Sequence, residues 1–153
     1  MKIKMLVMDV DGTLTDGKIY IGANGEIMKA FNVKDGYGIV QTKKDGVVPV
    51  IITGRTSDIV AARAKELGIE EFHQGVADKL HVLEKIAEKH RVRMEEIAYI
   101  GDDLNDLDCI KSCGFTACPN DAINAVKQQV KYICCHNAGE GAVREFIDWY
   151  SQL

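Results

Sequence analysis

The sequence predicts an α/β fold of the Rossmann-like, doubly wound kind: a mostly parallel sheet with helices on both faces, a protruding β-hairpin and no large cap domain. Three observations predict it. Short apolar runs alternate with longer amphipathic stretches along the chain, which is the order of a parallel sheet with helical crossovers. The runs are continuous rather than alternating in polarity, as strands covered on both faces require. Acidic and polar residues gather where the runs end, and ligands bind at the carboxyl ends of strands in open parallel sheets.

Taken in order, "IKMLVMDV" is the first strand and closes on Asp9, with Asp11 two residues on. "KIYIGANGEIMKAFNV" (18–33) holds two short strand-like runs around a Gly- and Asn-rich turn, and reads as a hairpin inserted after that strand. "VVPVIIT" ends on Thr53 and leads through Gly54 and Arg55 to a helix that carries Arg63. "EEFHQG" is the next strand. The clearest helix follows over 79–91, where Leu80, Leu83, Ile86 and Ala87 recur at three- and four-residue spacing. "IAYIGD" ends in the acidic stretch "GDDLND", "GFTAC" and "KYICC" complete the strands, and a glycine turn starts a last helix that turns Phe146, Ile147 and Tyr150 inward. With 153 residues and no repeat or linker, a single domain over 1–153 is expected.

Composition excludes several classes. A hydrophobic share of 46% with 27% charged residues is that of a globular protein, and the apolar runs are too short to cross a membrane. The net charge of −4 without a basic run argues against a nucleic-acid partner. No leader pattern precedes the first strand, so a cytoplasmic location is expected. Five cysteines, an odd number lacking a CxxC pair, read as reduced and partly buried thiols.

Residues two apart in an extended segment face the same side, so Asp9 and Asp11 point into one pocket while Val10 faces away. With Asp102, Asp103 and Asp106 arriving from another strand end, up to five carboxylates converge, a group that repels itself unless a cation joins it. A hard divalent ion with oxygen ligands, Mg²⁺ before others, resolves the repulsion and leaves positions for water and a phosphate. Asp-Gly and Asn-Asp pairs also make ordinary turns and caps, and either segment alone fits that reading. The ordered set favours the site: an acidic pair, a Thr at a strand end, a Lys before a helix and a later acidic cluster.

That set resembles the haloacid dehalogenase superfamily of phosphatases, with "DVDGT", "ITGR" at Thr53, Lys79 and "GDDLND" as its four motifs. The resemblance implies that Asp9 is a nucleophile forming an aspartyl-phosphate and that Asp11 is the acid and then the base. It also implies that Thr53 binds a phosphoryl oxygen and that Lys79 offsets transition-state charge. Mg²⁺ would be held by Asp9, Asp102 and the backbone carbonyl of Asp11, with Asp103 and Asp106 orienting bound water or Lys79.

"KAFNVKDGYGI" and "GEGAVREF" further resemble the capless, tetrameric branch of 3-deoxy-D-manno-octulosonate 8-phosphate phosphatases, relatives of the sialic acid 9-phosphate phosphatases. This implies a homotetramer built by the hairpin, with neighbouring subunits closing each site. A sugar-acid phosphate would then contact Asp11, Asn32, Val33, Lys34, Asp35, Gly36, Arg55, Arg63 and Lys79, with Arg144 helping to cover it. Arg63 also reads as an ordinary helix-surface charge, and Val40 stands where that branch often places Arg. The alternatives are a sialate or deaminated sialate 9-phosphate substrate, a phosphotransferase, or a regulatory module of a CMP-sialate synthetase.

Overall fold

Each apolar run becomes a strand in the computed structural model, which describes residues 2–153. In chain order, β1 (Met5–Met8) is followed by the hairpin strands β2 (Tyr20–Gly22) and β3 (Gly25–Met28), α1 (Val33–Lys44), β4 (Val48–Ile52) and α2 (Asp58–Glu66). Then come β5 (Glu71–His73), α3 (Lys79–His90), β6 (Ile97–Ile100), α4 (Leu107–Ser112), β7 (Phe115–Cys118), α5 (Asn124–Lys127), β8 (Tyr132–Ile133) and α6 (Ala142–Tyr150).

Six strands pair in the order β5-β4-β1-β6-β7-β8, every neighbour parallel, and β2 and β3 form a separate antiparallel ribbon. The chain leaves β1 toward β4 and β5, then returns to the other side of β1 at β6. The reversal of winding therefore lies between β1 and β6, where a crevice opens beyond their carboxyl ends.

Strand residues divide between the two faces with a period of two. Leu6 and Met8 pack with Ile39 of α1, Val60 of α2 and Phe146 of α6. Met5 and Val7 pack with Leu83 of α3, Ile110 of α4 and Val126 of α5. Burial on both faces explains why these runs are apolar throughout. All five cysteines are free thiols, four of them buried, and no helix among the described residues is long and apolar enough to cross a membrane.

The hairpin is shorter than the sequence suggests. Its strands end at Met28, Phe31 turns against the core, and Val33 already belongs to α1. The Asn32 side chain accepts a hydrogen bond from the Lys34 backbone N–H at 2.8 Å and so starts the helix there, because an Asn cap satisfies an amide the helix itself leaves open. The ribbon's apolar residues do not enter the core: Ile21 is 69% exposed and Ile27 64%.

Phe146 is fully buried, lies edge-on to Tyr150 and stacks with Trp149. Phe146→Ala is expected to destabilise the fold by about 3–5 kcal/mol, through lost burial plus the cavity left under α6, as read from urea unfolding.

Candidate active site

At the end of β1 the chain must turn sharply. The backbone N–H groups of Thr13, Leu14 and Thr15 all donate to the Val10 carbonyl, at 3.1, 2.9 and 3.0 Å. This tight turn keeps Asp9 and Asp11 at the strand end. Gly12 adopts a φ of +86°, and a Cβ there would lie 2.2 Å from Asp102 Oδ2, so glycine is what allows the β6 loop to approach the β1 loop.

Asp9 and Asp102 leave adjacent strand ends, β1 and β6, and the Asp9 N–H donates to the Ile100 carbonyl at 3.1 Å. One carboxylate oxygen from each of Asp9, Asp102 and Asp106 falls within 4.8 Å of the others. Lys79, the first residue of α3, is buried and donates to Asp9 Oδ1 and to Asp106 Oδ1, each at 2.8 Å. Asp106 is fully committed. Its Oδ1 also accepts from the Tyr99 hydroxyl at 2.7 Å, and its Oδ2 accepts from the backbone N–H groups of Asp102 at 2.9 Å and Asp103 at 3.3 Å. It therefore orients Lys79 and the β6 loop, leaving Asp9 and Asp102 as the carboxylates with free coordination.

The electrostatics ask for a cation. Burial first, then the proximity of Asp106, pushes Asp9 above the usual carboxylate range, although Lys79 pulls the other way. Burial, followed by Asp9 and Asp106, drives Asp102 up to about 9. Burial works against the Lys79 charge, but Asp9 and Asp106 outweigh it and hold the ammonium protonated. With all three carboxyl groups ionised, the cluster and its one ammonium sum to −2, the charge a divalent cation cancels, and the oxygen-only donor set suits a hard ion. The residues present thus fit Mg²⁺, with Asp9 and Asp102 as side-chain ligands.

Asp11 is partly exposed at the same mouth. Its Oδ1 pairs with Lys29, and its Oδ2 lies 4.0 Å from Arg55 Nε. Thr53 is buried at the end of β4, its N–H donating to the His73 carbonyl and its carbonyl accepting from Val76, which ties this loop to the loop after β5.

Other expected residues lie elsewhere within the chain. Among the described residues, Asn32, Val33, Lys34, Asp35, Gly36 and Arg63 make no hydrogen bond or ion pair to Asp9, Asp11, Lys79 or Asp102. Asp35 is 1% exposed and accepts from the Arg144 backbone N–H at 2.9 Å, satisfying an amide in the first turn of α6. Burial pushes its carboxyl up to about 6, partly offset by that bond. Arg63 sits over the Phe31 ring at 5.5 Å and pairs with Glu66 at 3.1 Å. Gly36 lies against Arg63, and both line a closed cavity of about 10 Å³ under α1. Val33, 82% exposed, and Lys34 face solvent, and Val40 is half-buried in α1. Asp103 is exposed and caps its own short turn through the Leu104 N–H at 2.7 Å, so it does not reach Lys79. For Asp35 and Arg63 the reason is helix phase: residue type marks a polar group, and the turn of the helix decides where it points.

Four residues went unrecognised in the sequence. Thr13 donates to Asp102 Oδ1 at 3.1 Å, Tyr99 bonds Asp106, and Lys29 and Glu26 come from the hairpin. Tyr99 had a signal, since a tyrosine inside an aliphatic strand needs a partner for its hydroxyl. Glu26 and Lys29 had none, because nothing local indicates that the ribbon folds back over the sheet.

A model of haloacid dehalogenase-like hydrolases matches residues 69–147. The chain is 41% identical over 146 residues to the 3-deoxy-D-manno-octulosonate 8-phosphate phosphatase KdsC of Escherichia coli K12, spanning 95% of this chain and 78% of that protein. Among solved structures it resembles the enzyme of that name from Moraxella catarrhalis, in complex with magnesium ion, phosphate ion and KDO (TM-score 0.94, 41% identity, 98% of this chain and 86% of that one). It also resembles the cobalt-bound phosphatase of Haemophilus influenzae (TM-score 0.96, 37% identity, 99% and 88%).

The raised carboxylates set the pH response of the metal-free protein. Burial drives the folded-state Asp102 carboxyl up to about 9, against its ordinary value of 3.8, so its contribution is complete below about pH 4 and is lost as pH rises toward 9. Urea unfolding without metal is expected to show stability falling from about pH 6 to about pH 9, and saturating Mg²⁺ to flatten that slope.

Proposed function

Because the chain belongs to the haloacid dehalogenase-like hydrolases, we propose that it is a Mg²⁺-dependent phosphomonoesterase that hydrolyses 3-deoxy-D-manno-octulosonate 8-phosphate to the free sugar acid and phosphate. The observation that carries this is the buried constellation of Asp9, Asp102, Asp106 and Lys79 in the crevice between β1 and β6. The relatives above are named for the octulosonate substrate, which favours it over a nine-carbon sialate phosphate.

In this reading an Asp9 carboxylate oxygen attacks phosphorus, and the bond to the ester oxygen breaks as the bond to Asp9 forms. Asp11 gives its proton to the departing alkoxide, which leaves as the alcohol. The Asp11 carboxylate then takes a proton from water, whose oxygen attacks phosphorus and releases inorganic phosphate and free Asp9. Lys79, fixed by Asp106, holds the Asp9 carboxylate in one orientation, and the Thr53 hydroxyl donates to a phosphoryl oxygen. Asp9, Asp102 and the Asp11 carbonyl would hold Mg²⁺, which when bound would supply positive charge to the phosphoryl oxygens.

Arg55, half exposed beside Asp11, faces the substrate's side of the crevice, and its planar guanidinium suits the sugar's carboxylate. In this reading Asn32, Val33, Lys34, Asp35, Gly36 and Arg63 contact the sugar phosphate, and Arg144 helps to cover the site of its own or an adjoining copy. The exposed apolar ribbon, with Ile19, Tyr20, Ile21, Ile27 and Met28 facing solvent, supports self-association, and the assembly is taken as a homotetramer. Free thiols agree with a reducing cytoplasm.

Asp9→Asn keeps the shape and removes the nucleophile, so turnover should fall by roughly 10⁴-fold or more while the protein stays folded with its oligomeric state unchanged; near-normal turnover would remove Asp9 from this role. Specificity constants measured with Mg²⁺ should favour octulosonate 8-phosphate over sialate 9-phosphate and hexose phosphates. Equal values across the panel would overturn the sugar-acid assignment and leave the phosphatase chemistry standing.

A further inference from the structure

The residue most out of place by ordinary burial rules is Lys29. Its side chain is fully buried, although it follows directly on the exposed Ile27 and Met28 of the ribbon. A lysine is withdrawn from water only where its charge is matched, and here two carboxylates match it: Asp11 through Oδ1, and Glu26 Oε2 at 3.2 Å. Glu26 is itself anchored from the far side. Its Oε1 accepts from the Ser57 hydroxyl, and Arg55 Nη2 lies 3.7 Å from its Oε2. The chain of contacts therefore runs from the start of α2 through the ribbon to Asp11.

This arrangement makes the two oxygens of Asp11 unequal. Lys29 occupies Oδ1, and Oδ2 lies on the side of Arg55, 4.0 Å from its Nε, without a hydrogen-bond donor. A carboxyl on an irregular loop is free to rotate about its side-chain bonds, and a misplacement of about 1 Å in a proton donor costs about 10²-fold in rate.

We propose that Lys29 is a positioning residue: delivered by the hairpin and held by Glu26, it clamps one oxygen of Asp11 so that the other faces the ester oxygen of the substrate. The proposal rests on the reading of Asp11 as the acid that protonates the leaving group. It assigns the ribbon a second role, since the same short segment presents an apolar outer face and carries the clamp on its inner side. The plainer alternative is a staple, in which the Lys29 pairs merely pin the ribbon to the sheet.

Leaving groups separate the two. An alkyl phosphate needs its departing oxygen protonated, whereas p-nitrophenolate departs without help. In Lys29→Met, kcat on octulosonate 8-phosphate should fall by about 10²-fold with KM changed only a few-fold, while kcat on p-nitrophenyl phosphate falls by less than about tenfold. Lys29→Arg should recover much of the loss. In an Asp11→Asn background, Lys29→Met should cost nothing further, because residues acting through one group are not additive. Equal losses on both esters, or a loss confined to KM, would make Lys29 a staple and overturn the proposal. If Asp11→Asn itself shows no dependence on the leaving group, the reading of Asp11 as the acid fails and takes the proposal with it. Should Lys29→Met not fold, Glu26→Gln keeps the lysine and loosens its anchor, and it must show the same leaving-group dependence at smaller size; its absence overturns the clamp.

Discussion

Lys79 opens α3 with its ammonium between Asp9 and Asp106, and the carboxyl ends of β1 and β6 are organised around that buried pairing. A cation at a helix N-terminus runs against the helix dipole, which the Asp78 carboxylate, accepting from the His81 N–H at 3.1 Å, offsets only in part. The local cost is offset by the two carboxylates, which would otherwise repel each other in a nearly dry crevice. Such a conflict between local preference and tertiary demand is the mark of a functional position. Asp106 extends the arrangement by binding Tyr99 and two loop amides, so one fully buried carboxylate sets the direction of Lys79 and the path of the chain that carries Asp102.

The charge count at this point explains why the crevice suits a phosphate despite being acidic. One ammonium leaves two negative charges uncompensated, and a divalent cation cancels these while keeping coordination positions open. A phosphate dianion can approach only such a neutralised site. Burial that raises Asp9 and Asp102 is thus the cost of holding ligands in place before the cation arrives, and cation binding relieves it.

The hairpin shows how much work a short insertion can do. Ile21 and Ile27 remain outside, while Glu26 within β3 and Lys29 just beyond its end reach Ser57 and Asp11. Through Lys29 this ribbon touches Asp11 at the edge of the site. Sequence periodicity marks it as a hairpin, but the polar residues on its inner side look like ordinary surface charges until the ribbon is seen to bend back over β1.

By itself the sequence determined the strand and helix order, because burial on both faces writes a parallel strand as an unbroken apolar run and an amphipathic helix as a three- and four-residue spacing. It also determined that Asp9, Thr53, Lys79 and Asp102 lie at strand or helix ends, where the carboxyl ends of parallel strands converge. Only the tertiary structure decided which polar groups meet. Asp106 rather than Asp103 bonds Lys79, Asp35 satisfies an amide in the first turn of α6, Arg63 packs on Phe31, and Lys29 pairs with Asp11 from the ribbon. The reason is that local patterns fix a residue's place along its element, whereas its partner depends on the twist, phase and closure of elements far apart in the chain.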